Sequence, residues 1–527
     1  MQYGFESILP PLIAIVLAIL TRRVLLPLAT GIFVGAILLS LGKPDSRWFD
    51  SFILFLTSLV DSVRDADHLK TLAFTLLLGA MVGVMEIGGG IRSLIYHLSK
   101  RIRSRSGAKV MISLSGLIIF FDDYANTLLI GGTMRSTADR YKISRAKLAY
   151  LVDSTAAPVA GLSVISTWTA IEISYIAEGL KAAGIDDSSA AFSLFLESIP
   201  YRFYPVLAIV MVFYVSISGR DFSAMRKAEN DAIDSKEDVL PETSLSDPGS
   251  DLPSRLWLAA IVPIACCVAA IVSVLVFTGK REAEVAPEMS SFRAAIEIIG
   301  SGDSYLALIL GGVVGLVMAV WMHRLLSNSS NFRMLEGTVR GALQMMPAML
   351  ILWLAWALGA MTQSDALDTG GYLSRILSDR LAPEWLPATV FLLSGFVAFS
   401  TGTSWGTMAI LTPLAVTLSI EMDSVAGPAG VICLATSGAV LAGAILGDHC
   451  SPISDTTVLS SRASGCNHVE HVRTQMPYAL IVGSVAIVAG CIPAAYGVSP
   501  WICLIVGAVL LWFILRLVGR PPCAPGF

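Results

Sequence analysis

The sequence predicts an all-α polytopic membrane protein built as two inverted-topology repeats, each with a re-entrant helical hairpin and a broken transmembrane helix. Three observations lead there. The 527 residues are 55% hydrophobic and only 14% charged, with a mean hydropathy of +0.72, outside the range of soluble domains. Two apolar segments, residues 110–134 and 388–416, are each interrupted in the middle by polar side chains. Short sequence echoes recur in the same order in both halves of the chain, as internal duplication requires.

In chain order, hydropathy places spans at residues 8–20, 24–41, 71–91, 148–172 and 203–218, then at 256–278, 305–322, 342–361, 431–461, 478–496 and 501–517. The first run has no basic residue before it and is followed by Arg22 and Arg23 rather than a small-residue cleavage site, so it reads as a retained helix. Residues 219–255 are polar, with Pro241, Pro248 and Pro253, and read as a solvated cytoplasmic linker. This divides the chain into a first repeat over 1–218, a second over 256–496, and an additional C-terminal helix and tail over 497–527.

The two interrupted segments are set apart by their flanks. Arg92, Lys100, Arg101, Arg103, Arg105 and Lys109 precede the first, and Arg135, Arg140, Lys142, Arg145 and Lys147 follow it. Positive-inside bias puts both ends in the cytoplasm, which makes residues 110–134 a hairpin that enters and leaves on one side. No Lys or Arg occurs from 381 to 461, while Glu384, Glu421 and Asp423 flank the second segment. That hairpin is expected to enter from outside. The five spans between the two invert one relative to the other, with Lys280 and Arg281 the exception in an expected outer loop.

The echoes pair the stretch from Pro158 with that from Pro452, with Asp153 and Asp448 a few residues upstream. Gly79-Ala80-Met81 pairs with Gly359-Ala360-Met361, Gly89-Gly90 with Gly370-Gly371, Leu98-Ser99-Lys100-Arg101 with Leu377-Ser378-Asp379-Arg380, and Gly31 and Gly35 with Gly311 and Gly315.

Chemistry concentrates where the apolar pattern fails. Residues 447–461, GDHCSPISDTTVLSS, crowd oxygen-bearing side chains at the end of a long apolar run, and Pro452 removes a backbone donor. A carboxylate there costs about 2.5–3.5 kcal/mol on insertion scales, which marks Asp448 and Asp455 as functional. Discontinuous helices of inverted-repeat proteins expose half-helix ends to ions near the midplane. Four such elements are expected to converge. The first hairpin tip brings Asp122, Asp123, Asn126 and Thr127, with one of the adjacent acids free to cap a half-helix. The first helix break brings Asp153, Ser154 and Thr155 ahead of Pro158. The second tip brings Ser400, Thr401, Thr403 and Ser404, and the second break brings Asp448, His449, Ser451, Ser454, Asp455, Thr456 and Thr457.

Carboxylate, hydroxyl and carbonyl oxygens are hard ligands, suited to an alkali or alkaline-earth cation rather than a soft metal, and membrane energetics and fold analogy favour sodium. The residues expected to hold Na+ are Asp448, Asp455, Asp123 and Asn126. The same carboxylates take a proton when the cation leaves. His449 reads as a proton shuttle or an orienting partner, Glu86 as lining the pathway or, in preference, as lying near the cytoplasmic end of its span, Trp168 and Trp405 as packing, and His468 and His471 as residues of a solvated loop.

Other classes are excluded or unsupported. No GxxxxGK[ST] occurs, the serines around Gly402 have no base placed beside them, and no strand precedes Gly88-Gly89-Gly90. The eight cysteines show no CxxC or zinc spacing. No enzyme activity, cofactor or nucleic-acid partner is expected.

GDHCSPISDTTVLSS, FFDDYANTLLIGGTMR and the following DSTAAPV together resemble the NhaC-type Na+/H+ antiporter family, over nearly the whole chain apart from residues 219–255. The resemblance implies the ion transporter superfamily, a transport domain moving against a scaffold, and often a homodimer. It implies cation and proton chemistry on Asp448, Ser451, Ser454, Asp455 and Thr456, with Asp123, Asn126, Thr127 and Asp153 from the other repeat. Gly161 stands where Asp455 is expected by symmetry, which argues against a second equivalent ion site. The expectation is a secondary active transporter of the cytoplasmic membrane exchanging Na+ for H+. The alternative is Na+- or H+-coupled transport of a small organic anion or amino acid, since the family includes carriers of both.

Overall fold

A computed structural model describes residues 4–41, 48–234, 252–282, 298–299, 301–327, 330–377 and 380–522. The described chain is helical, with no strand among those residues beyond an isolated bridge between Asp221 and Arg520. Nine helices among the described residues are long and apolar enough to cross a membrane; Ser189–Tyr201 and Phe203–Ser218, bent by 42°, make a tenth if taken as one span.

Both interrupted segments are pairs of helices joined at a polar corner. Arg105–Ile118 and Asp123–Thr133 form the first, and Leu386–Thr401 and Ser404–Met422 the second. Each corner has a local cause. Asp122 is extended and its side chain accepts from the Ala125 N–H at 2.7 Å, capping the second arm. Gly402 turns the second corner in the left-handed region at φ 74°, and Thr403 caps the arm that follows. A broken helix follows each pair: Arg145–Ala160 resumes as Thr169–Ala182, and Val431–Cys450 resumes as Asp455–Ser464.

The first break differs from the expected one. Pro158 lies inside Arg145–Ala160, where it removes one i to i−4 bond without ending the helix, and the chain breaks over residues 161–168. Asp153, Ser154 and Thr155 are therefore interior helical residues, all buried. The second break falls at residues 451–454, around Pro452.

Two further helices, Trp48–Arg64 and Thr169–Ala182, fall short of a span, while Ser188–Ser198 belongs to the bent pair and Asn331–Gln344 runs on into Met346–Thr362 as one apolar stretch of 32 residues. Part of the stretch expected as a solvated linker is the helix Ser223–Asp234, whose Glu229 is buried. Glu229 accepts from Arg105 Nη2 and the Ser144 N–H, each at 2.8 Å, which docks this helix against the first hairpin and the first broken helix. Asp221 beside it is buried with Lys147 and accepts from the Tyr478 hydroxyl at 2.6 Å. Residues 235–251 lie outside the described residues, as do Ser378 and Asp379 of the echo that pairs them with Ser99 and Lys100.

Small residues let the helices approach backbone to backbone. A Cβ on Gly443 would stand 2.2 Å from the Phe391 carbonyl oxygen, and one on Gly447 2.2 Å from that of Gly395. The Ser394 hydroxyl donates to the Val440 carbonyl at 2.6 Å across the same contact. Gly341 meets Gly79 in the same way, at 2.1 Å from its carbonyl oxygen. Gly443→Val is expected to cost about 1–3 kcal/mol through overpacking, read as a lower melting temperature in detergent. Gly132→Ala, with nothing within 4 Å, leaves it in place.

Candidate functional site

The second break is organised by Asp448, which is fully buried. Its Oδ1 accepts from the Ser454 hydroxyl at 2.6 Å and its Oδ2 from the Thr456 hydroxyl at 2.5 Å. The Asp448 carbonyl accepts from the Thr457 hydroxyl at 3.1 Å. The carboxylate at the end of one half-helix is thus solvated by the first turn of the next, where Ser454 is also the cap that accepts from the Thr457 N–H. Ser451 donates to the Phe399 carbonyl at 2.7 Å, tying the break to the second hairpin.

Asp455 points the other way, exposed to a cavity and accepting a short hydrogen bond from the Tyr124 hydroxyl. Its neighbour in space, Asp123, is completely buried; Oδ1 accepts from Trp168 Nε1 at 3.1 Å, and Oδ2 has no partner. Asn126 and Thr127 sit one turn on. The Asn126 amide donates to the carbonyls of Gly116, Ile119 and Thr155 at 2.8, 2.9 and 3.3 Å, which leaves its Oδ1 unpartnered, and the Thr127 hydroxyl is unpartnered as well. Positions 123, 126 and 127 share one helix face.

The breaks and tips meet in matching fashion. The Thr167 N–H of the first break donates to the Phe121 carbonyl at 2.9 Å, and the Asp455 N–H of the second to the Gly402 carbonyl at 3.4 Å. Asp122 Oδ2 accepts from the Thr167 hydroxyl at 3.1 Å.

Asp153 belongs to a separate buried network. Its Oδ2 accepts from Gln475 Nε2 at 2.5 Å, faces His471 Nε2 at 3.3 Å, and takes the Thr457 hydroxyl at 3.5 Å. His449 turns from the cavity toward Tyr204, with Nδ1 2.8 Å from its hydroxyl. Ser154 and Thr155 are buried, and the Thr155 hydroxyl donates back to the Leu151 carbonyl at 2.7 Å. Ser400 and Thr401 likewise donate to their own helix, while Ser404 is buried with its hydroxyl unpartnered. Among the described residues no three His, Cys, Asp or Glu side chains converge as metal ligands. Asp123, Asp448 and Asp455 therefore do not form the single shell expected from the sequence.

The family model for the Na+/H+ antiporter family matches residues 159–491. The chain belongs to the Na+/H+ antiporter family. An uncharacterized protein of Haemophilus influenzae is 35% identical over 479 residues, 91% of this chain and 88% of that one. The arginine/ornithine antiporter ArcD of Halobacterium salinarum is 37% identical over 109 residues, 20% of this chain and 21% of its own. In three dimensions the Alcanivorax borkumensis YdaH transporter aligns with a TM-score of 0.57 at 14% identity, covering 96% of this chain and 98% of that one. This antiporter-family chain is a multi-span membrane protein and a secondary transporter.

Several residues of this family member stand apart from their sequence expectation. His471 is fully buried within His468–Val485 rather than in a solvated loop, because Asn467 caps that helix ten residues ahead of the apolar run. His468 lies at the helix start, with Nε2 2.6 Å from the Pro452 carbonyl oxygen and Nδ1 3.2 Å from the Ser461 hydroxyl. Glu86 lines the cavity beside Asp455 and Tyr124. Tyr124, Thr167 and Gln475 carried no signal of their own, although Tyr124 stands inside the polar tip.

The breaks also differ in charge. Arg202, 2% exposed, donates to the Gly161 carbonyl where the first half-helix ends, and pairs with Glu172 at 2.8 Å. A guanidinium thus sits at the carbonyl end of the first break, as favours a helix C-terminus. Arg202→Met is expected to destabilise by about 3–5 kcal/mol, because it strands the buried Glu172 charge. Adding Glu172→Gln should return much of the lost melting temperature.

Proposed function

We propose that this secondary transporter is a Na+/H+ antiporter of the cytoplasmic membrane, with Na+ and H+ competing for Asp123. One observation carries the reading: Asp123 Oδ2, Asn126 Oδ1 and the Thr127 hydroxyl, within one turn of a single helix, are buried and without hydrogen-bond partners. Buried oxygens are almost always satisfied. Three orphans on one face are suited to a hard cation taking 6 or so oxygen ligands, some of them carbonyls or water. Three carbonyls at its amide fix the Asn126 side chain and leave its oxygen free to accept.

A proton on Asp123 and a cation beside it exclude one another, since a bound cation favours the ionised carboxylate. Asp455 would pass ions between the cavity and this face, with Tyr124 holding its carboxylate when the path is closed. Asp448, enclosed by its two hydroxyls, would keep the two half-helices in register. The family match supports the Na+/H+ assignment. The recurring order of hairpin and broken helix, with each break bonded to a tip, supports an inverted pair of repeats. A second reading, coupled transport of an organic solute, is favoured by the cavity itself, whose volume of about 310 Å³ far exceeds a single ion, and by the amino-acid exchange named for the Halobacterium relative.

In proteoliposomes holding a trapped pH dye, Na+ added outside should drive proton movement that Asp123→Asn abolishes. Asn126→Ala should raise the half-saturating Na+ concentration by about tenfold, the loss of one charge-assisted contact of ~1.4 kcal/mol. Wild-type vesicles unresponsive to Na+ from about pH 6 to 9, the window between the ordinary His and Cys titrations, would sink the proposal.

A further inference from the structure

The cavity beside Asp455 has a composition that the exchange of two inorganic ions does not require. Its volume, about 310 Å³, falls at the lower end of organic-ligand pockets, roughly 300–1,000 Å³. Three carboxylate residues from three separate elements line it: Glu86 from Ala66–Ile87, Asp122 from the first hairpin and Asp455 from the second break. No Lys, Arg or His is among the lining residues. Two of the acids are engaged, Asp122 by the Ala125 N–H and Thr167, and Asp455 by Tyr124 and the Thr456 N–H. Glu86 is half-buried, and its charge and that of Asp122 lie within range of one another.

The opposite requirement, an aromatic surface, is met as well. Tyr124 and Trp405 both line the cavity. Trp405 is 5% exposed, and its indole N–H is buried without a partner, which is uncommon for a buried Trp. Trp168 packs against it with ring centroids 4.9 Å apart, fixing its plane. Carboxylates beside aromatic rings attract an organic cation twice over, by charge-assisted hydrogen bonds and through the ring face. An anionic solute would meet like charges with no basic side chain to offset them, a repulsion that a low-dielectric site magnifies.

We infer that this cavity binds and carries a small organic cation with an ammonium or guanidinium head, with Glu86 as its principal anchor. The inference rests on the reading of the chain as an ion-coupled antiporter and names a second class of cargo for it. The cation's head lies against Glu86 and the Tyr124 and Trp405 rings, and its body against Met345, Pro347 and Ile351 on the facing wall. A bound organic cation would place its charge beside Asp455, in the path between the cavity and Asp123.

The test uses one batch of proteoliposomes for both cargoes. Na+-driven proton movement is recorded first, followed by uptake of radiolabelled agmatine, choline and succinate against an imposed proton gradient. Agmatine or choline should accumulate about tenfold above protein-free vesicles and succinate should stay at background. Glu86→Gln should lower organic-cation uptake at low concentration by about tenfold, the equivalent of ~1.4 kcal/mol, and Glu86→Asp should retain part of it. Na+/H+ exchange without any organic-cation uptake would overturn this inference and leave the ion exchange standing. Organic-cation uptake without a Na+ response would do the reverse. Succinate uptake in place of the cations, or full agmatine and choline uptake by Glu86→Gln, would also overturn it.

Discussion

Asp448 sits at the end of the most enclosed candidate span among the described residues, and its surroundings follow from the need to satisfy that carboxylate without water. The helix stops at Cys450, Pro452 prevents it from resuming at once, and the next half-helix begins with two hydroxyls that reach back to both carboxylate oxygens. Were Val431–Cys450 to continue unbroken, Ser454 and Thr456 would be carried one turn further from Asp448 and could not reach it. The break is therefore the means by which a charge is kept at this depth, and the hairpin tips are anchored to the backbone groups that the break frees.

Buried charge is handled in three distinct ways in this fold. At Asp448 neighbouring hydroxyls enclose it. At the first break, Arg202 and Glu172 neutralise one another, and Arg202 donates to the Gly161 carbonyl. At Asp123 one oxygen takes the Trp168 indole N–H and the other is left open. The contrast separates two breaks of similar outline: a fixed guanidinium stands at the carbonyl end of the first. Asp153 is drawn off into contacts with Gln475 and His471, which join the first broken helix to the helix following the second.

Much of this was legible in the sequence because polar residues are costly within apolar runs. Both corners and the second break were marked by such interruptions, and the capping of one acid at the first tip falls on Asp122. The position of the first break was not legible: Pro158 resembled Pro452 in its surroundings, yet a proline in the final turns forfeits one backbone bond and lets the helix finish. Trp48–Arg64 and Asn331–Gln344 escaped because half of each helix surface is polar. The helix Ser223–Asp234 escaped because its buried Glu229 reads as solvated until the facing Arg105 and Lys109 are known. His471 was placed by sequence distance from an apolar run, a poor guide where capping extends a helix. The division of labour among Asp123, Asp448 and Asp455 depends on which oxygens find donors, which no linear pattern records.

The central claim is that a cation and a proton compete for the open oxygens at Asp123. Calorimetric titration of the purified protein with NaCl, repeated in two buffers of different ionisation enthalpy, counts the protons released for each Na+ bound. Release approaching about one proton per Na+ is expected at a pH where the empty site is protonated, with loss of both binding and release in Asp123→Asn. Saturable Na+ binding with no proton release at any pH, or binding and release that persist in Asp123→Asn, would contradict it.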